Sequence, residues 1–110
     1  MAGENNDQYT IKYTESFKNS LRENIHEWES SLLLSEDIIK KFVHSIYSSI
    51  NLLKLFPEMH EDVSHIYRFN EPTYRILIGK SFAIFYRLDK KHKIVQIGNL
   101  FKQKQMDVTF

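Results

Sequence analysis

Two arginines in the C-terminal third of the sequence lie inside runs that are otherwise apolar. Arg75 precedes Ile76-Leu77-Ile78, and Arg87 follows the run from Phe82 to Tyr86. A guanidinium in such a run needs either a carboxylate partner or an open face, where it can bind a phosphate or an acidic surface. The candidate partners are Glu61, Asp62 and Asp107. From the sequence, a structural ion pair and a functional role as a cation are equally possible for Arg75 and Arg87.

Positive charge is concentrated in the segment that holds these arginines. The 110-residue chain has 15 Lys and Arg against 14 Asp and Glu, a formal net charge of +1. We therefore expect weak non-specific attraction to a polyanion, unless the positive residues cluster on one face. From residue 75 onward only Asp89 and Asp107 oppose the basic residues, which are Arg75, Lys80, Arg87, Lys90, Lys91, Lys93, Lys102 and Lys104. The group from Lys90 to Lys93 is most simply a solvated hairpin tip.

Several classes of chemistry lack the residues that they need. The chain has no cysteine, which excludes disulfides, thiolate zinc sites and a cysteine nucleophile. The five histidines show no HxxxH or HxH spacing, so we expect no metal and no cofactor; they are His26, His44, His60, His65 and His92. No apolar stretch approaches the roughly 18 residues of a membrane span, and we expect a cytoplasmic protein without membrane contact.

The N-terminal half predicts one strand followed by two helices. Alternation from Tyr9 to Tyr13 indicates a strand. Thr14 is a plausible N-cap for a helix from Glu15 to Ser30. Ser35, with two acidic residues behind it, starts a second helix whose apolar stripe continues to Phe56, where Pro57 stops it. The two helices should form an antiparallel hairpin that covers an apolar surface.

Three β-rich runs follow, Val63 to Phe69, Thr73 to Leu88 with a break near Gly79, and Lys93 to Phe101. Short links make adjacent runs antiparallel. The predicted fold is α+β, a two-helix hairpin on a mainly antiparallel sheet in the order β-α-α-β-β-β-β, with the other sheet face free to bind. We expect a flexible N-terminus at residues 1–8 and a single domain at 9–110. Core positions are favoured over base-stacking roles for Trp28, Tyr74, Phe82, Phe85 and Tyr86.

Five segments, in this order, resemble the RelE/ParE superfamily, the toxins of bacterial type II toxin-antitoxin systems. They are Thr14 to Phe17, Leu52 to Pro57, Tyr74 to Ile78, Phe82 to Asp89 and Leu100 to Val108. The strand Phe82 to Asp89 is similar to the family's Ile-Phe-Tyr-Arg-Ile-Asp strand. The fold that the resemblance implies, a helical hairpin against an antiparallel sheet, is the one that the periodicity predicts.

The resemblance implies two different mechanisms. RelE-like members are ribosome-dependent ribonucleases, whose chemistry requires a proton acceptor, a proton donor and cations at the phosphate. Here Leu77 and Ala83 stand where a lysine and the catalytic arginine are expected. A divergent nuclease would have to use Arg75, Arg87, Lys102 and Lys104, with His65 or Tyr86 handling protons.

ParE-like members inhibit DNA gyrase, and the ending Met106-Asp107-Val108 favours this type. In both types the implied partner is a cognate antitoxin whose disordered segment folds on the toxin. The implied target is DNA gyrase or the ribosome with its mRNA, and the predicted target-binding residues are Arg75, Arg87, Lys102 and Lys104. A non-toxic binding module of the same fold would have the same sequence pattern.

Overall fold

A five-stranded sheet with two long helices on one face forms the body of the protein. The computed structural model describes residues 8–110. Of the predicted flexible N-terminus, only Gln8 is among the described residues. The elements are β1 Thr10–Tyr13, α1 Glu15–Ser30, α2 Glu36–Asn51, β2 Glu61–Asp62, α3 Ser64–Tyr67, β3 Tyr74–Ile78, β4 Phe82–Asp89 and β5 Ile94–Lys102. The strand order is β1-β5-β4-β3-β2, and every neighbouring pair is antiparallel except β1 with β5. The predicted α+β architecture is confirmed.

Side-chain caps fix the starts of both long helices at the predicted residues. The hydroxyl of Thr14 accepts a hydrogen bond from the Phe17 amide at 3.1 Å, and that of Ser35 accepts one from the Ile38 amide at 3.2 Å. Each cap satisfies an amide that has no partner within its helix. The end of the second helix is predicted less well. The α-helix stops at Asn51 and tightens into a 3₁₀ turn at Leu52–Lys54, so it ends before the predicted stop at Pro57.

The main core lies between the two long helices and the sheet. Its fully buried side chains include Phe17, Ile46, Ile50, Ile84 and Ile97. Burial of one such side chain contributes roughly 1.5–3 kcal/mol. A polar contact also joins helix and sheet, since the hydroxyl of buried Ser20 accepts from the Leu100 amide at 3.0 Å. The core positions predicted for Trp28, Phe85 and Tyr86 are confirmed, whereas Tyr74 and Phe82 are half-buried.

The strand predicted from Val63 to Phe69 is wrong. The chain forms the two-residue strand β2 and then the short helix α3. The carboxylate of Asp62 accepts hydrogen bonds from the Ser64 amide and hydroxyl, at 2.9 and 2.7 Å, and this turns the chain into the helix. Val63 and Tyr67, four residues apart, then lie buried in one cluster, and Arg68 ends the helix with φ of 61°.

The second face of the sheet was predicted to be free to bind, and this prediction is wrong because apolar side chains cover that face. A second apolar cluster occupies it, formed by Val63, Tyr67, Ala83, Phe85 and Phe101, with Phe69, Val108 and Phe110 packed against it. The Asn99 amide donates a 2.7 Å hydrogen bond to the Phe110 carbonyl. A methyl group built on Gly98 would lie 2.6 Å from that carbonyl oxygen, so only glycine lets the tail approach this closely. We call residues 108–110 the tail strap.

Candidate functional site

Arg75 lies on the face of the sheet covered by α3 and is held by partners from the chain itself. Its Nη1 donates to the Tyr67 hydroxyl at 3.0 Å, and its Nη2 lies 3.7 Å from a carboxylate oxygen of Glu61. Glu61 is one of the carboxylates predicted as a partner. Only 22% of the Arg75 side chain is exposed. The guanidinium is thus part of the structure of β2, β3 and α3.

Arg87 is enclosed still further, on the same face. Its Nε donates to the hydroxyl of fully buried Thr73 at 2.9 Å, and its Nη1 lies 3.4 Å from Glu71. The guanidinium carbon lies 4.0 Å from the ring centre of Phe110 and 5.3 Å from that of Phe69. Such stacking and hydrogen bonding suit the planar arginine head group. Arg87 therefore anchors the tail strap and the loop before β3.

The two predicted proton-handling residues lie apart from each other. Tyr86 is fully buried in the main core, on the helix side of the sheet, and its hydroxyl donates to the Pro57 carbonyl at 2.8 Å. Burial raises the pKa of Tyr86, so the phenol stays neutral and keeps donating its hydrogen bond to the Pro57 carbonyl. His65 lies in α3 with an exposed side chain. The structure does not bring Tyr86 together with Arg75 and Arg87.

Lys102 and Lys104 lie in a different setting, at the end of β5 and in the turn after it. Both line a groove of about 650 Å³ between the α1–α2 loop and the β3–β4 hairpin, which we call the lysine groove. The Lys102 ammonium lies 3.5 Å from Glu27 with both side chains about half exposed, so this ion pair is weak. The predicted cations therefore form two groups, an arginine pair on the covered face and a lysine pair in an apolar groove.

Sequence reasoning missed most of the groove. Apolar side chains from α1, the following loop, α2 and both strands of the hairpin line it, including Trp28, Leu34, Ile38, Phe42, Ile78 and Phe82. Lys80 also lines it, although the sequence singled it out only as one of the basic residues after residue 75. Trp28 and Phe82 are 54 positions apart in the sequence, so no local pattern could have brought these residues together. Among residues 8–110 no group of three His, Asp or Glu side chains is placed to hold a metal ion.

None of the helices described is long and apolar enough to cross a membrane.

The fold is similar to that of RelE chains in two solved toxin-antitoxin complexes. One is the RelBE2 complex of Mycobacterium tuberculosis, with a TM-score of 0.55 and 18% identity over 87% of this chain and 99% of that chain. The other is the archaeal RelE-RelB complex of Pyrococcus horikoshii OT3, with a TM-score of 0.53 and 15% identity over 89% of this chain and 98% of that chain. No protein-family model and no curated protein sequence matches the chain. The chain therefore has the fold of RelE toxins, as the sequence resemblance predicted.

Proposed function

We propose that this protein is the toxin of a bacterial type II toxin-antitoxin system, which arrests growth in the cytoplasm when its antitoxin releases it. The observation that carries this proposal is the structural similarity of this chain to two RelE chains from toxin-antitoxin complexes, of which it covers 99% and 98%. The order of sequence segments that resemble the superfamily supports it independently.

We propose that the toxin acts by binding its target, and that the target is DNA gyrase, as in ParE-like members. Two features of the cations support binding over cleavage. Arg75 and Arg87 are engaged by Glu61 and Thr73, and Tyr86 lies buried on the other side of the sheet. Lys102 and Lys104 instead border an apolar groove, which suits contact with an acidic protein surface. The ending Met106-Asp107-Val108 favours the same assignment.

The alternative is a RelE-like, ribosome-dependent mRNA endoribonuclease without a metal. The RelE identity of both structural neighbours favours it. Cleavage would require Arg75 and Arg87 to leave their present partners and contact the phosphate, with exposed His65 transferring a proton. In that mechanism the tail strap would have to lift from Arg87, because Phe110 lies over its guanidinium.

Induction of the chain in bacterial cells, with pulse labelling of DNA and protein synthesis, separates these mechanisms. A gyrase inhibitor stops DNA synthesis within the first minutes and triggers a damage response. An early stop in protein synthesis with cleaved transcripts would overturn the gyrase assignment in favour of the ribonuclease. Normal growth at a verified level of folded protein would leave only the non-toxic binding module.

The double substitution Lys102→Ala/Lys104→Ala tests the residues. We expect it to abolish growth arrest in either mechanism and to leave the fold intact, because both side chains are exposed. A matched control is Lys12→Ala/Lys91→Ala, which removes two exposed lysines that do not line the groove. Growth arrest that survives the first double substitution would show that the lysines are not target contacts.

A further inference from the structure

A second cleft, of about 500 Å³, lies along α1 on the flank that meets Tyr13 of β1 and Tyr47 of α2. We call it the tyrosine cleft. It shares no lining residue with the lysine groove, and neither Arg75 nor Arg87 lines it. Its volume is within the range of about 300–1,000 Å³ that is typical of small-molecule sites in proteins. The tyrosine cleft is therefore large enough for a ligand of the size of a metabolite.

Three aromatic rings form one end of the tyrosine cleft. The ring centre of Tyr13 lies 5.3 Å from that of Phe17 and 5.7 Å from that of Tyr47. Phe17 is fully buried, whereas both tyrosines are half-buried. Burial, and then the neighbouring Tyr47 phenol, raise the pKa of Tyr13, so its hydroxyl remains a donor at neutral pH. Neither phenolic hydroxyl has a hydrogen-bond partner within residues 8–110. This end of the cleft thus combines aromatic surface with two unused donors.

Positive charge lies at the same end of the cleft. Lys18 and Arg22, one helical turn apart on α1, both line it. The Arg22 guanidinium donates to the Asn19 side chain at 2.9 Å and has no carboxylate partner among the described residues. Lys18 lies 3.3 Å from Glu15, but both side chains are at least half exposed, so this ion pair is weak. The acidic lining residue, Glu29, lies roughly 10 Å beyond Arg22 along the helix.

We infer that the tyrosine cleft binds a small planar aromatic anion, a molecule whose flat ring carries a phosphate or a carboxylate. Its ring would pack on Tyr13 and Tyr47 in the offset or edge-to-face geometry that aromatic rings favour. Its anionic group would accept hydrogen bonds from the planar fork of the Arg22 guanidinium and from a phenolic hydroxyl. The rings and the two cations lie within the first two turns of α1 or beside them, so one small molecule can reach both.

A helix of a partner protein fits the tyrosine cleft less well than a small molecule. An acidic helix lying along α1 would bring carboxylates to Glu29 as well as to Arg22, and the contact with Glu29 would be unfavourable. A small anion at the aromatic end avoids Glu29. Its binding does not depend on the toxin function proposed above, because none of the residues proposed to contact the target lines this cleft.

Titration of the purified full chain, followed by NMR of ring-labelled tyrosines, tests the inference. Adenosine monophosphate represents a nucleotide source of the ligand, and naphthoate represents an aromatic acid. Their neutral analogues are adenosine and naphthamide, and ribose phosphate supplies an anion without an aromatic ring. We expect at least one of the two aromatic anions to bind roughly ten-fold more tightly than its neutral analogue and than ribose phosphate. The signals of Tyr13 and Tyr47 should shift, whereas the indole signal of Trp28, which lines the lysine groove, should not.

Substitutions separate the two halves of the site. Lys18→Gln/Arg22→Gln should weaken binding of the aromatic anion roughly ten-fold and leave binding of its neutral analogue unchanged, a pattern that damage to the fold could not give. Lys41→Gln/Lys91→Gln makes the same change in net charge at exposed lysines outside the cleft and should have little effect. Tyr47→Phe keeps the ring but removes a donor, so it should weaken binding of the anion about three-fold.

Binding of adenosine monophosphate alone would identify a nucleotide as the ligand class, and binding of naphthoate alone would identify an aromatic acid; both results support the inference. Three results would overturn it: no binding of either anion at millimolar concentration, equal affinity for each anion and its neutral analogue, or a shift of the Trp28 signal in place of the Tyr13 and Tyr47 signals. A glutamate-rich helical peptide that shifts the tyrosine signals when neither small anion does would assign the cleft to a protein partner and would equally overturn it.

Discussion

The arginine pair and the lysine pair carry the same charge but differ in what surrounds them. Arg75 and Arg87 are about four-fifths buried, and each combines a hydrogen bond, a carboxylate and an aromatic ring. Lys102 and Lys104 are exposed beside apolar surface. A cation that is fully partnered stabilises the fold, and one beside an open apolar groove is available for binding. The two regions therefore differ in whether their cations are free to bind another molecule, and not in the sign of their charge.

The largest expected effect is on stability, at Arg87. Arg87→Met keeps an apolar stem but removes the hydrogen bond to buried Thr73 and the stacking on Phe110. Loss of a charged hydrogen bond and of a cation–π contact should lower the free energy of unfolding by about 3 kcal/mol. Urea unfolding followed by circular dichroism measures this change.

Lys104→Met is the matched control, since it removes a cation from the lysine groove. We expect it to change the free energy of unfolding by less than about 0.5 kcal/mol, as is usual for exposed side chains. If the two substitutions cost the same, the distinction between structural arginines and available lysines fails.

The second effect concerns the tail strap, which covers the face of the sheet that carries Arg75 and Arg87, here called the arginine face. Gly98→Ala places a methyl group against the Phe110 carbonyl, and the strap must shift. We expect a loss of about 1–2 kcal/mol in the free energy of unfolding, typical of overpacking. Phe110→Ala alone should cost a similar amount, because it removes the ring over Arg87.

A double-mutant cycle shows whether these two losses have one cause. In the Gly98→Ala background the strap is already displaced, so Phe110→Ala should cost almost nothing more. Additive losses would mean that Gly98 does not act through the strap. Trp28 is the only tryptophan in the sequence, so its indole N–H gives one NMR signal, and this signal should be unchanged in all three variants, because the groove that Trp28 lines lies on the opposite side of the sheet from the strap.

Local signals explain which parts of the fold could be predicted. Thr14 and Ser35 cap their helices through hydrogen bonds three residues away, and both helix starts follow from the sequence. The short turns after Ile78 and Asp89 likewise fix the antiparallel pairing of β3, β4 and β5. Between Val63 and Tyr67 the signal was ambiguous, because apolar residues at this spacing fit a helical turn as well as a strand.

The site could be predicted only in part, because its character depends on distant residues. The sequence identified Arg75 and Arg87 as residues that need partners, and Glu61 was a named candidate for Arg75. It gave no reason to place Phe110 on Arg87, since the two are joined only by the return of the chain over Gly98. The lysine groove depends in the same way on the approach of the α1–α2 loop to the β3–β4 hairpin.

The smallest expected effect is the contribution of Asp62 to the pH dependence of stability. The hydrogen bonds from Ser64 lower the pKa of Asp62 below its ordinary value of 3.8. A carboxyl whose pKa is lowered by folding stabilises the protein above its ordinary pKa, and this contribution disappears as the pH falls through the lowered value. Asp62→Asn retains an acceptor for the Ser64 amide but does not titrate. The advantage in stability of the wild type over this variant at pH 6 should therefore vanish on acidification.

Urea unfolding from pH 6 downward measures that advantage, and amide hydrogen exchange locates it. Exchange at Phe69, whose amide donates to the Ser64 carbonyl, should accelerate on acidification in the wild type, because loss of the Asp62 charge weakens the start of α3. Asp89→Asn is the control, since the pKa of Asp89 is also lowered, by hydrogen bonds from His92 in the hairpin after β4. It should alter the acid dependence of stability without changing exchange at Phe69. If the wild type and Asp62→Asn lose stability in parallel below pH 4, the Asp62 charge does not hold α3 over the arginine face.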